Sequence, residues 1–207
     1  MSVALLSCTY FGPIQWYQKL YRYEESQIEH CESFVKQTYR NRCIIATTHG
    51  TQALTVPIEH GSKLMRDIRI SNHGHWRHLH WNALMSAYGE SPFFDYYEDD
   101  LRPFFDKKWD FLFDFDMAIT EKICELLDIQ PTIKYTDSFA PLSSIDTHTG
   151  NAFSDFREAI RPKNPLPDAD FTLKPYYQVY QQKHGFLTNL SILDLLFNMG
   201  NEAILYL

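Results

Sequence analysis

The chain has 207 residues, of which 44% are hydrophobic and 22% are charged, enough for one substantial core and a composition that argues against global disorder. Its formal net charge of −7 gives no broad positive surface for DNA or RNA, so we predict no nucleic-acid partner. The four cysteines form no CxxC pair. There is no basic signal-peptide region at the start, and no apolar stretch is long enough to cross a bilayer. These features predict a cytoplasmic protein with free thiols and no integral membrane segment; two disulfides in a secreted protein are the alternative.

The first half of the chain is predicted to form strands around one helix. Residues 3–8 are a short apolar run typical of a buried strand, and Pro13 suits the first turn of a helix that continues through Tyr21. A loop at residues 49–52 indicates a hairpin. The candidate strands after the helix are residues 28–35, 43–47, 53–58 and 67–71.

Helices dominate the second half. They are predicted over residues 76–88, from Ser91 until Pro103 kinks or ends the helix, and over residues 109–127 and 191–199. A short return strand is predicted at residues 132–135. In the last helix, Ser191 and Asp194 have the spacing of a capping box, and Gly200 follows as a C-terminal glycine.

Residues 137–175 contain five prolines and little apolar periodicity. We interpret this segment as a long irregular loop over a site or as a flap, with one helical turn around residues 153–160; a domain boundary is the alternative. The predicted fold is α/β, leaning towards α+β. An N-terminal strand and a β-rich region are followed by a helical bundle packed on it, in a single domain over residues 1–207.

Four of the nine histidines lie within residues 73–80. If residues 76–88 are helical, His80 shares the inward face with Trp76 and Leu84. It is then either a core histidine held by a hydrogen bond or a buried general base with a lowered pKa. His75 and His78 are three residues apart on the helix surface. The spacing matches no zinc motif, so we predict no metal site.

The densest positive charge is in residues 36–42, where Lys36, Arg40 and Arg42 could bind the phosphate of a nucleotide sugar. A solvated loop before a strand is the alternative interpretation. The sequence contains neither GxxxxGK[ST] nor GxGxxG, so we predict no cofactor bound through those motifs.

Five segments follow one another in an informative order: residues 10–13, 36–44, 56–58, 80–88 and 185–200. In this order they resemble the WbqC-like proteins of bacterial surface-polysaccharide gene clusters. The similarity extends over nearly the whole chain. Many members begin with Gln-Pro where this chain has Ser7-Cys8, so no role of that glutamine carries over.

This resemblance implies a role in O-antigen biosynthesis, with transfer of a glycyl or other acyl group to an amino sugar. The hypothesis assigns proton removal from the amine to His80. Phosphate binding is assigned to the basic segment, and Asn189 is a further ligand candidate. The sugar pocket is assigned to Tyr10, Asn41 and Tyr88.

The expected ligand is a nucleotide sugar or a phosphorylated amino sugar, with an acyl donor of unknown identity and a homo-oligomer left open. Two alternatives remain. One is a non-catalytic binding or assembly protein for polysaccharide enzymes. The other is an amide hydrolase that uses Cys8 as its nucleophile with His80 as the base.

Overall fold

The computed structural model describes residues 2–141 and 152–207. Its strands and helices confirm the mixed α/β class. The strands are β1 Ser2–Ser7, β2 Glu25–Glu29, β3 Arg42–Thr47, β4 Gly50–Thr55, β5 Ile133–Tyr135 and β6 Ala152–Asp155. The helices are α1 Ile14–Arg22, α2 Trp76–Tyr88, α3 Phe94–Leu101, α4 Pro103–Asp106, α5 Leu112–Leu126, α6 Gln181–His184 and α7 Ile192–Met199.

Four strands form a parallel sheet in the order β5-β2-β1-β6. Parallel neighbours need a crossover connection, and α1 supplies it between β1 and β2. In the central strand β1, all residues from Val3 to Leu6 are apolar and buried, as expected for a strand that is covered on both faces. The carboxyl ends of all four strands therefore meet at one edge of the sheet, which we call the carboxyl edge.

Strand β2 lies earlier in the chain than residues 28–35, where the sequence predicted it. Its two glutamates are buried, and their carboxylates have partners nearby. Glu25 accepts a hydrogen bond from Gln27 and pairs with Lys134 at 2.5 Å, and Glu29 accepts from the hydroxyl of Thr136 at 2.7 Å. An apolar pattern cannot reveal a strand whose buried groups are carboxylates satisfied across the sheet.

The antiparallel hairpin β3-β4 forms a separate two-stranded sheet and lies between β2 and α2 in the chain. Its turn is shorter than predicted, because β4 already begins at Gly50. Helix α2 packs against β3 and α4, and α7 packs against α1, α3 and β3. No helix in the described parts of the chain combines the length and apolar character needed to span a membrane.

The predicted irregular segment contains strand β6, which pairs with β1 from Ser2↔Ala152 to Leu5↔Asp155. The helical turn expected around residues 153–160 was therefore wrong over its first residues, where pairing with the central strand imposes an extended backbone. Residues 142–151 of the segment lie outside the described residues. The strand expected at residues 67–71 is reduced to isolated bridges at Arg69 and Ile70.

Candidate functional site

A cavity of about 450 Å³ lies at the carboxyl edge, which we call the carboxyl-edge pocket. Open α/β sheets bind ligands in this position, outside the carboxyl ends of their strands. The volume lies in the range of small-molecule sites. The lining residues are Cys31, Glu32, Ser33, Val35, Arg40, Phe139, Arg157 and Glu158.

One side of the pocket is an ion pair between Arg40 and Glu32, both nearly buried. Arg40 donates from Nε to one carboxylate oxygen at 2.8 Å and from Nη2 to the other at 2.6 Å. Nη2 also donates to the hydroxyl of Ser7 at the end of β1. This bidentate geometry fixes the plane of the guanidinium and compensates its charge.

The other side is built by Arg157, two residues after β6. Its guanidinium donates from Nε to both carboxylate oxygens of Asp155 and from Nη2 to the carbonyl of Ala140 at 2.7 Å. Nη1 lies 3.6 Å from Oε2 of Glu29, which is completely buried at the end of β2. Burial alone would lower the pKa of Arg157, but the carboxylate of Asp155 outweighs it and raises the pKa overall.

The charges at this edge are nearly balanced, with a slight acidic excess. The two guanidiniums face three carboxylates, those of Glu29, Glu32 and Asp155, and Glu158 at the rim pairs with Arg161. The ring of Phe139, about half exposed at 52%, adds an apolar wall. Such a site offers donors and acceptors side by side, which suits a ligand with hydroxyl and amine groups better than a phosphate.

The structure brings two of the sequence-predicted site residues into contact. The Tyr10 hydroxyl is hydrogen-bonded to Nδ1 of His80 at 2.9 Å, and the backbone of Thr55 holds the imidazole as well. His80 is only 6% exposed and lies against the ring of Trp76. Burial lowers the pKa of His80 to about 4, so the imidazole is neutral at physiological pH. This environment is that of a core histidine held by hydrogen bonds, and proton removal by His80 stays a prediction.

The basic segment is divided between different surroundings. Arg40 lines the carboxyl-edge pocket, whereas Nε of Arg42 donates to the hydroxyl of Thr55 across the hairpin. The side-chain amide of Asn41 donates to the carbonyl of Val56 and is buried. Lys36 is exposed. Phosphate binding by this segment stays a prediction, although the charge of Arg40 is already paired.

Tyr88 and Asn189 both hold elements together. The Tyr88 hydroxyl donates to Asp194 at 2.9 Å and accepts from the amide of Ala46, which ties α2 to α7 and β3. Asn189 has a positive φ of 49° and exchanges hydrogen bonds with Gln15 at the start of α1. Neither is among the lining residues of the carboxyl-edge pocket, nor is His80. Their roles as substrate ligands stay predictions.

Comparison with known proteins identifies the family of this chain. The model of the WbqC-like protein family matches residues 8–154, which include strands β2 and β5, most of β6, the hairpin and helices α1 to α5, whereas the central strand β1 precedes the match. This chain belongs to the WbqC-like protein family. Within the pocket, Glu32, Arg40 and Phe139 fall inside the matched region, whereas Arg157 and Glu158 follow shortly after it.

A relative of this WbqC-like chain is known in Mycobacterium tuberculosis (strain ATCC 25618 / H37Rv). It is named uncharacterized protein Rv1507c and is 27% identical over 216 residues, an alignment that covers 96% of this chain and 91% of the relative. No solved structure matches the chain.

Cys8 lies at the carboxyl edge of this WbqC-like fold but is completely buried. Burial and the nearby Asp116 carboxyl raise the pKa of the Cys8 thiol well above its ordinary value, so it stays protonated. This gives no support to a Cys8 nucleophile. Within residues 2–141 and 152–207, no three His, Cys, Asp or Glu side chains are placed to hold a metal ion.

Sequence reasoning missed Glu29, Glu32, Asp155 and Arg157, because they are separated by up to 128 positions along the chain. The available signal was charged residues directly after short strands, at Glu29 and at Asp155. This signal indicates a site only when the strands are known to pair in parallel, because parallel pairing places both strand ends at the same edge of the sheet.

Proposed function

We propose that this WbqC-like protein transfers an acyl or aminoacyl group to the amine of an amino sugar during synthesis of a surface polysaccharide. The resemblance to proteins of polysaccharide gene clusters suggests the pathway. The observation that carries the proposal is the carboxyl-edge pocket, because its size and its mixture of fixed donors and acceptors suit one sugar unit.

The lining residues suggest how an amino sugar binds. Sugar hydroxyls both donate and accept hydrogen bonds, so they can engage guanidinium and carboxylate groups together. The acidic excess favours an amine-bearing ligand over an anionic one. Phe139 offers an apolar face to one side of the ring. Arg40 and Arg157 are held by carboxylates on their inner sides, which keeps the pocket in one shape before the ligand arrives.

The proposed reaction is nucleophilic substitution at an activated acyl group, such as a thioester or ester. The amine attacks the carbonyl carbon and a C–N bond forms. The bond from the carbonyl carbon to the leaving group breaks, and the leaving group takes the electron pair. The amine loses one proton, which passes to a carboxylate of the pocket.

We assign that proton to Glu158. Glu32 and Asp155 are each bound by two nitrogens of one guanidinium, whereas Glu158 lies at the rim with its side chain 39% exposed and pairs with Arg161. Nη1 of Arg40 has no acceptor within residues 2–141 and 152–207, so it can donate to the carbonyl oxygen as negative charge develops there.

The test compares Glu158→Gln with His80→Gln in a strain that lacks the gene. The readout is the acylated fraction of the amino sugar in the surface polysaccharide, measured by mass spectrometry. Loss of a general base typically costs at least about 100-fold in rate, so we expect Glu158→Gln to remove acylation. His80→Gln should retain it, since that side chain is outside the pocket.

The matched control is Glu202→Gln, an exposed glutamate in the C-terminal 3-10 turn Gly200–Tyr206 that carries the same chemical change. It should leave acylation unchanged, and all three variants are compared at equal amounts of folded protein. Full acylation with Glu158→Gln, together with loss in a folded His80→Gln variant, would overturn the assignment and return the proton transfer to His80.

A non-catalytic assembly protein is the second candidate, and one feature favours it. A groove of about 820 Å³ runs between α5 and the edge strand β5, with apolar lining that includes Phe113, Met117 and Ile133. Exposed strand edges and apolar grooves are common partner surfaces. If Met117→Gln rather than Glu158→Gln removed acylation, the assembly function would be supported instead.

A further inference from the structure

A second pocket, of about 430 Å³, lies at the N-terminal end of α2 and beside α4. We call it the α2 pocket. It shares no lining residue with the carboxyl-edge pocket. Much of the histidine-rich segment belongs to it, since His75 and His78 line the pocket although His80 lies in the core.

The α2 pocket carries concentrated positive charge in an acidic chain. Arg77, Arg102 and Lys108 line it, against the single carboxylate of Asp106. The net fixed charge of these four groups is therefore +2, with the histidines counted as neutral. This differs from the carboxyl-edge pocket, where every guanidinium has a carboxylate partner.

Both guanidiniums are held in place but retain free donors. Nη2 of Arg77 donates to the side chain of Asn72 at 2.8 Å, and the group stacks over Trp76 with 4.6 Å between its carbon and the ring centre. Its Nε is buried without an acceptor, and burial lowers the pKa of Arg77. A cation pre-positioned in this way, with an unmet donor, is suited to an anionic ligand.

Arg102 is oriented in the same manner. Its Nε donates to Asp106 at 2.9 Å and its guanidinium lies over the ring of Trp81 at 5.0 Å. In residues 2–141 and 152–207, neither Nη nitrogen of Arg102 nor Nζ of Lys108 has an acceptor. These nitrogens form the open, uncompensated side of the pocket.

The backbone adds to the same field. Helix α2 has 13 residues, and its N-cap residue His75 makes no side-chain capping hydrogen bond. The amides of the first turn have no intrahelical acceptors because of their position, and the side chain of His75 does not cap them at the positive end of the helix dipole. A second sign is Trp81, which is 2% exposed and whose indole N–H has no acceptor. Phosphate groups bind at sites of this kind.

We propose that the α2 pocket binds the phosphate or diphosphate group of a small soluble ligand, such as a nucleotide. Arg77 and Arg102 would donate hydrogen bonds to the phosphate oxygens from two sides, and Lys108 would add a positive charge at the open rim. The proposal rests on this pocket alone and stands or falls independently of the transfer reaction at the carboxyl edge.

The test is isothermal titration of the full chain with inorganic pyrophosphate at constant ionic strength. Charge-assisted hydrogen bonds are worth enough that we expect Arg102→Gln and Lys108→Gln each to weaken binding about tenfold. Lys107→Gln is the matched control, because it removes the same charge one residue away and does not line the pocket. It should change the affinity by less than about twofold.

Two results would overturn the proposal. One is no pyrophosphate binding by the wild type, with folding verified by thermal unfolding. The other is an equal loss with Lys107→Gln and Lys108→Gln, which would identify diffuse surface charge. Vesicles of phosphatidylcholine with phosphatidic acid distinguish the source: binding to these vesicles without binding to pyrophosphate would indicate a membrane surface and also contradict the proposal.

Discussion

Asp116 is a completely buried carboxyl group in α5, and neither of its oxygens has a hydrogen-bond partner of normal geometry in the described parts of the chain. Burial raises the pKa of Asp116 well above its ordinary value, and the nearby thiol of Cys8 opposes the shift only in part. The folded protein therefore holds a proton on Asp116 that the unfolded chain releases near pH 4.

The sign of this linkage predicts the effect of Asp116→Asn. A group whose pKa is raised on folding destabilises the protein increasingly as the pH rises from the unfolded pKa towards the folded one. The substitution removes that cost, so we expect the variant to have a higher free energy of unfolding than the wild type at pH 7. The gain should shrink towards pH 4.

Urea unfolding at pH 4, 5.5 and 7 measures this dependence, with the exposed Asp114→Asn as the control on the same helix. A gain that stays constant over these values would show that Asp116 is not protonated by folding.

Single residues of the candidate site were predictable only in part. Helical spacing placed His80 on the inward face of α2, and it is buried there. Arg40 and Arg42 are two residues apart, and this spacing suggested one phosphate site. A 3-10 turn over Tyr39–Asn41 instead directs the two guanidiniums to different partners, Glu32 and Thr55. Charge density along the sequence does not reveal a carboxylate that reaches the arginine only after folding.

At the scale of elements, helices were predicted best because residues close to each helix end, such as a capping serine or a glycine, determine where the helix begins and ends. Helix α2 has the predicted bounds, with Gly89 directly after it, and α7 begins after Ser191 and ends before Gly200. Strands β2 and β6 were missed or misplaced, because β2 is polar and β6 lies in a proline-rich segment. Both depend on pairing with β1, which is not local information.

The cap of α7 supports a prediction of its own. The hydroxyl of Ser191 accepts from the amide of Leu193 at 3.3 Å and donates to the carbonyl of Phe11 at 2.8 Å. Ser191→Ala removes both hydrogen bonds, so we expect the free energy of unfolding to fall by about 1–2 kcal/mol.

Thermal and urea unfolding check this value, with the exposed Ser86→Ala in α2 as the control that keeps helix propensity favourable. A loss no larger than that of the control would mean that the cap does not stabilise the fold.

At the scale of the whole molecule, the parallel sheet determines where the carboxyl-edge pocket lies. It collects the ends of β1, β2, β5 and β6 at one edge, where Glu29, Asp155 and Arg157 meet. The α2 pocket lies on the helical part, and its net positive charge contrasts with the nearly balanced charge of the carboxyl edge. The two proposals therefore assign an amino sugar to the carboxyl-edge pocket and a phosphate group to the α2 pocket.

Binding of an amino sugar at the carboxyl edge is tested most directly by hydrogen–deuterium exchange. Exchange is measured with and without nucleotide-linked amino sugars that differ in the position of the amine. Binding at the carboxyl edge predicts slower exchange in residues 30–40 and 153–161 for at least one of these sugars. In the Glu158→Gln variant that protection should persist, since the substitution removes a proton acceptor and not the pocket. Protection confined to the β3-β4 hairpin and to residues 80–88, with no change at the carboxyl edge, would contradict binding of the sugar at the carboxyl edge.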